Sequence, residues 1–349
     1  MKKLYFLTNG LQNFAGTEKV ITQLANELKS DIVIVVPQSQ KSAFSLHPNQ
    51  EFMSLNIGEF PEGTITKKVL HKLKYLIEVN KVIPQNSLVF SFMFDLNLLN
   101  IILSTLKANK VIICEHIEYD YHKGVRNILR KFLYKFKNVQ LICLTKTDQL
   151  KFIKDGINAK VITNFIYPVK SQYDQDSKVI VAIGRLEYQK NFAFLINSFA
   201  ISELFKEGWK LIIVGEGSEK AMLDELILRL NLTDSVSIHK FTKNIDEYYK
   251  KAAVFCMTSR FEAFPMVLLE AINNALPVLV TNFPTGAQEI LGDKNLQIVN
   301  SWNEVDYAEH LNKLCNDSTL RIKYSGDNKK LAEQFYFEKI MSQWEELIS

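Results

Sequence analysis

Residues 259–281 read SRFEAFPMVLLEAINNALPVLVT, directly after the apolar run VFCMT at 254–258. Pro265 suits the first position of a helix, where its missing N–H costs no hydrogen bond, and Pro277 ends the helical pattern just before the β-branched run VLVT. The stretch therefore reads as strand, loop, helix, strand, the unit that builds parallel sheets. The free amides after Pro265 open toward the loop, where a helix N-terminus favours an anion. Glu262 stands in that loop and Glu270 in the early turns of the helix, with seven residues between them. Two carboxylates there are also explained by the helix dipole alone.

Working outward, the same rhythm recurs. VIVAIG from Val179, KLIIVG, VSIH, VFCMT and LPVLVT alternate with helices expected near Phe192 to Glu207 and Lys220 to Leu230. An earlier series runs through KLYFLT, DIVIVV, SLVFSF, KVIICEH and QLICLT, with a helix near Glu18 to Lys29. The polar segment 164–177 separates the two. The expectation is an α/β chain of two Rossmann-like domains with parallel sheets facing an interdomain cleft, residues 1–168 and 169–329. A final helix near Lys329 to Leu347, about 330–349, is free to pack on either. A length of 349 residues suits two domains.

With 47% hydrophobic and 23% charged residues the composition is that of a globular protein. The opening MKKLYFLTNG has too short an apolar run for a secretion signal, and no segment approaches the roughly 20 apolar residues of a membrane span. A cytoplasmic location is expected. Cys114, Cys143 and Cys256 lie in strand-like runs without metal-site spacing.

Charge is uneven: +9 over residues 1–165 and −5 over the remainder. Much of the excess lies in HKGVRNILRKFLYKFKN, 122–138, where Val125, Ile128, Leu129, Phe132, Leu133 and Phe136 recur at helical spacing beside Lys123, Arg126, Arg130, Lys131, Lys135 and Lys137. Two readings stand open: a surface helix whose apolar stripe packs on the core, or a peripheral contact with an anionic membrane surface. The aromatic-rich motifs of single-strand nucleic-acid binding are absent, so no nucleic acid is expected.

VAIGRLEYQKN, 181–191, sets Gly184, Arg185 and Lys190 after a strand, a grouping suited to a diphosphate that must leave bearing negative charge. Together with AGTEKV (15–20), CEH (114–116), NFI (164–166), VGEGSEK (214–220), EAFPMVLLE (262–270) and PTGAQEIL (284–291), these residues resemble the retaining glycosyltransferases of family GT4, of GT-B fold. The resemblance covers most of the chain, and the order and spacing of the motifs carry it. It implies that Glu262 and His116 meet the donor sugar, that Arg185 and Lys190 grip the diphosphate, and that Glu270 holds the ribose hydroxyls. Gly16, Thr17, Gly184, Gly215, Glu216, Phe264, Pro265, Met266 and Val267 are the remaining donor-binding positions it implies. It also implies a nucleotide-sugar donor, expected to be UDP-linked, and a glycan or lipid-linked glycan acceptor of lipopolysaccharide, capsule or lipid-linked oligosaccharide synthesis. No cofactor and no metal are expected.

The chain departs from the family pattern in three places. Ala15 with Gly16 replaces a frequent pair of glycines, Ala263 replaces a glycine after the first glutamate, and Lys240 in SIHKFT stands near a usual glycine, which leaves the base open. Asp174-Gln175-Asp176 has the spacing of a metal-binding aspartate pair but falls in the polar linker, and it reads as solvated. The rival readings are an epimerase or phosphorylase on the same scaffold and a non-catalytic basic binding module. A dehydrogenase lacks its G-x-G-x-x-G after the first strand.

Overall fold

A computed structural model describes residues 3–12, 16–38, 42–170, 173–292 and 296–349. The chain divides into two compact units, residues 1–164 with 340–349, and residues 165–339. Residues 165–168, expected with the first unit, belong to the second, because Ile166 bridges Tyr336 and its N–H donates to the Phe335 carbonyl at 2.9 Å. Residues 330–339 likewise remain with the second unit.

The first unit holds strands β1 (Leu4–Leu7), β2 (Ile32–Val36), β3 (Glu51–Ser54), β4 (Leu88–Ser91), β5 (Lys110–Cys114), β6 (Val139–Cys143) and β7 (Ala159–Val161). They form one parallel sheet in the order β3-β2-β1-β4-β5-β6-β7. Its helices are α1 (Gly16–Glu27), α2 (Ile65–Val82), α3 (Phe94–Lys107), α4 (Gly124–Leu133) and α5 (Lys146–Lys154). The second unit holds β8 (Val179–Ile183), β9 (Lys210–Val214), β10 (Val236–His239), β11 (Val254–Met257), β12 (Val278–Thr281) and β13 (Ile298–Val299), parallel and ordered β10-β9-β8-β11-β12-β13. Helices α6 (Phe192–Ser202), α7 (Lys220–Arg229), α8 (Asp246–Lys251), α9 (Met266–Asn273), α10 (Gly286–Leu291), α11 (Glu304–Asn316) and α12 (Ser318–Ala332) accompany them. The inner strands are apolar on both faces, as strands covered by helices on two sides must be; β11, VFCM, is buried throughout.

The expected final helix is two. α12 ends at Ala332, a short 3₁₀ turn follows, and α13 (Phe337–Ile348) begins after Tyr336, which is extended at φ −67°, ψ 143° while it pairs with Ile166. Residues 340–349, which include most of α13, belong to the first unit, where the Trp344 ring lies 6.1 Å from that of Phe90. β3, β7 and β13 were not anticipated: they are two to four residues long and sit toward sheet edges, too short for a periodic signal.

Helix α4 corrects a second expectation. Arg130, counted among the surface cations, is 1% exposed. Its guanidinium donates to the Tyr119 carbonyl at 2.8 Å and lies 4.5 Å from the Tyr119 ring and 5.1 Å from that of Phe152. The apolar side chains Val125, Ile128, Leu129 and Phe132 face solvent, while Leu133 and Phe136 of the same stripe are half-buried against the core. The core of Ile101, Ile113, Tyr134, Leu141 and Phe152 is thus met by part of the stripe only. Of the other cations, Arg126 pairs with Asp95 and Lys131 with Asp155, while Lys123, Lys135 and Lys137 are exposed.

Candidate functional site

In the second unit the chain leaves β8 toward β9 and β10 on one side, while β11 pairs with the other side of β8. The carboxyl ends of β8 and β11 therefore flank the topological switch point, where such sheets bind ligands. The loop after β8 carries Gly184, Arg185 and Lys190; the loop after β11 carries Glu262. Lys190 Nζ meets Glu262 Oε1 at 2.5 Å, with both side chains nearly closed to solvent at 13% and 12% exposure.

Backbone packing fixes these loops. A Cβ on Gly215 would overlap the Gly184 carbonyl, and one on Gly217 would overlap that of Leu186, so the turns after β8 and β9 lie against each other as only glycines permit. A Cβ on Gly184 would stand 2.9 Å from Lys190 Cε, so the missing side chain is the space through which the lysine stem runs. The loop closes on Asn191, left-handed at φ 54°. Its carboxamide oxygen accepts from Arg260 Nη2 at 2.8 Å rather than capping α6. Arg185 is exposed and donates to Gln189 Oε1 at 3.1 Å, and Gln189 Nε2 donates to the Phe261 carbonyl at 2.9 Å, tying the two loops. Glu216 is exposed beside them.

Pro265 is the residue before α9 rather than its first, and no side chain caps the helix. Phe264, Pro265 and Met266 are buried and Val267 half-buried, which leaves main-chain amides as the polar feature of this turn. Glu270 Oε2 accepts from the Tyr249 hydroxyl at 2.9 Å. The segment PTGAQEIL packs on the Glu262 loop: Thr285 bridges Glu262, and a Cβ on Gly286 would stand 2.8 Å from the Ala263 carbonyl. At the end of β10, His239 Nδ1 lies 2.9 Å from the Tyr248 hydroxyl while Lys240 is exposed.

Tyr249 and Arg260 escaped the sequence reading. Arg260 follows a strand as Arg185 does, a signal that was present; Tyr249 has none, since nothing near it in sequence points to Glu270. Asp174 and Asp176 precede β8 and so lie at the opposite end of the sheet from Lys190 and Glu262. Among the described residues no cluster of three or more His, Cys, Asp or Glu is placed to hold a metal.

The first unit sets Gly16 and Thr17 at the start of α1, after β1, and His116 after β5, each beyond the carboxyl end of a strand. Ala15 lies outside the described residues. His116 is half-buried, its ring 6.0 Å from Phe92, and burial pushes its imidazole down to about 4. Nε2 has no hydrogen-bond partner among the described residues. Its neighbour Glu115 is buried and accepts from the Tyr134 hydroxyl; burial raises its carboxyl above the usual range, against the pull of that hydrogen bond. No helix among the described residues is long and apolar enough to cross a membrane.

Residues 165–331, nearly all of the second unit, match the family described as glycosyl transferases group 1. The amylovoran biosynthesis glycosyltransferase AmsD of Erwinia amylovora is 28% identical, with all of both chains aligned. The GalNAc-alpha-(1->4)-GalNAc-alpha-(1->3)-diNAcBac-PP-undecaprenol alpha-1,4-N-acetyl-D-galactosaminyltransferase of Campylobacter jejuni is 24% identical over 100% of this chain and 99% of that protein. Among solved structures, Anabaena HepE in complex with UDP and glucose superposes with a TM-score of 0.78 at 17% identity, covering 100% of this chain and 99% of that one, a likeness of fold. With two doubly wound parallel units of the GT-B fold and a group 1 domain over residues 165–331, the chain is a glycosyltransferase, similar to those of the GT4 type.

Proposed function

We propose that the protein transfers a hexose or N-acetylhexosamine from a UDP-linked donor, with retention of anomeric configuration and without a metal, to a lipid-linked or polysaccharide glycan acceptor of the lipopolysaccharide, capsule or oligosaccharide kind. The observation that carries it is the Lys190–Glu262 pair astride the switch point of the second sheet. Lys190 and Arg185 are the diphosphate cations, aided by the amides at the start of α9. Glu262 faces the sugar, and Glu270, held by Tyr249, takes the ribose hydroxyls. On the first unit, His116 with Gly16 and Thr17 have the sugar-facing and phosphate-side roles that the resemblance gives them. The UDP complex of HepE supports the choice of nucleotide, and the undecaprenol-linked substrate named for the Campylobacter relative supports that of acceptor.

The bond from the anomeric carbon to the diphosphate oxygen breaks while the acceptor oxygen bonds to that carbon on the same face. The hydroxyl proton passes to the departing diphosphate. Charge accumulates on the leaving group, so cations fixed beforehand contribute most of the acceleration. The test is titration of the purified protein with UDP, GDP and ADP in EDTA, followed by NMR assignment of the product anomer. Selective UDP binding and a retained anomer are expected; an inverted anomer rejects the mechanism, and UDP binding that requires added metal rejects the metal-free site.

A further inference from the structure

Helices on a globular surface turn their apolar stripe inward. Two helices of the first unit carry apolar side chains on the outward face as well, beside the inward Tyr75 and Val79 of α2 and Leu133 of α4. On α2, Ile65, Val69, Leu73 and Ile77 follow one another at four-residue steps and are 50–80% exposed. On α4, Val125, Ile128 and Phe132 are 64–71% exposed. The two helices are tied to the same point: Asp95, at the start of α3, accepts from Lys72 of α2 at 2.6 Å and from Arg126 of α4 at 3.1 Å. They therefore flank α3 and present two apolar stripes on one side chain's tether.

The charge on these two helices is mostly positive. No acidic residue occurs between His122 and Asn138, and α2 carries Lys67, Lys68, Lys72, Lys74 and Lys81 against Glu78 alone. We infer that α2 and α4 together form a docking face for an anionic lipid bilayer, with the apolar stripes in the acyl boundary and the lysines at the headgroups. A second copy of this chain would bring like charges together, whereas an anionic bilayer meets both the cations and the apolar side chains. Two helices matter, because one weak anchor gives only marginal and reversible binding. The inference deepens the proposed lipid-linked acceptor and rests on that reading for its purpose, though vesicle binding is measurable without turnover.

The test is co-sedimentation of the full chain with phosphatidylcholine vesicles, with and without phosphatidylglycerol. Wild type is compared with Val69→Asp/Leu73→Asp on α2 and Ile128→Asp/Phe132→Asp on α4, and UDP titration reports the second unit in each. Wild type is expected to bind only the anionic vesicles and to release them at about 0.5 M salt. Each double variant is expected to bind about tenfold or more weakly with its UDP titration unchanged. Wild type that ignores anionic vesicles overturns the inference, as does an α2 variant that binds them like wild type. A wild-type dimer in sedimentation equilibrium, abolished by these variants without any vesicle binding, assigns the face to a second copy and also overturns it. Vesicle binding by a chain that binds no UDP upholds this face and refutes the donor reading.

Discussion

α9 and α4 are short helices of similar length, but one buries most of its apolar side chains and the other exposes most of them. α9 buries Met266, Leu268, Leu269 and Ile272 and connects β11 to β12, starting shortly after Glu262, the partner of Lys190. α4 buries Arg130 and exposes Val125, Ile128 and Phe132. Both show an apolar stripe at helical spacing. Periodicity reports that a stripe exists; what the rest of the molecule leaves open decides which way it faces. Around α9 there is a core to fill, whereas α4 reaches its core only with Leu133 and is otherwise anchored by a cation stacked on Tyr119 and Phe152.

Substitutions probe the contrast directly. The largest effect is expected at the α9 end: Lys190→Ala should lower kcat/KM for sugar transfer by about 10²–10³, measured against wild type with saturating acceptor. Next, Leu269→Ala should cost about 3 kcal/mol of stability in urea denaturation, the loss typical of a filled core position. Arg130→Ala should cost about 2 kcal/mol, because it removes a buried stacked cation and leaves the Tyr119 carbonyl without its donor. Phe132→Ala, on the outward stripe, should change stability by no more than about 0.5 kcal/mol; a loss like that of Leu269→Ala would mean that α4 packs like α9.

A smaller test uses pH. Burial pushes the imidazoles of His116 and His122 down to about 4 from 6.5. The folded chain therefore prefers both neutral, while the unfolded chain takes up protons near 6.5. The stability they contribute is complete above that value and is lost as pH falls from 6.5 through about 4. Urea midpoints in that window should fall less steeply in a His116→Phe/His122→Phe variant than in wild type.

Much of the fold was legible because the inner strands are continuous apolar runs and the helix stops are marked, as by Pro277. β3, β7 and β13 were not, since two to four residues carry no period. Of the candidate site, Arg185 and Lys190 stand out by type and place after a strand, whereas Glu262 and Glu270 are singled out by the family resemblance. That Lys190 and Glu262 hold each other could not be read, because residues 72 apart in sequence meet only once β11 pairs with β8. The same holds for Tyr249, whose link to Glu270 exists only in three dimensions, and for the contact of Gly215 with Gly184, which converts an ordinary glycine turn into a steric necessity.

The Lys190–Glu262 contact also bears on how substrate and product are told apart. A diphosphate that recruits Lys190 competes with a carboxylate that has little water to fall back on, so the exchange is costly unless something else satisfies Glu262. The hydroxyls of an intact sugar would do so; a spent nucleotide brings none. In the proposed mechanism the pair thus acts as a ratchet on occupancy, holding the loaded donor and easing out what remains after transfer. The measurable sign is UDP binding more weakly than its sugar conjugate, by a margin that narrows when Glu262→Gln removes the charge; an unchanged margin would refute this role for the pair.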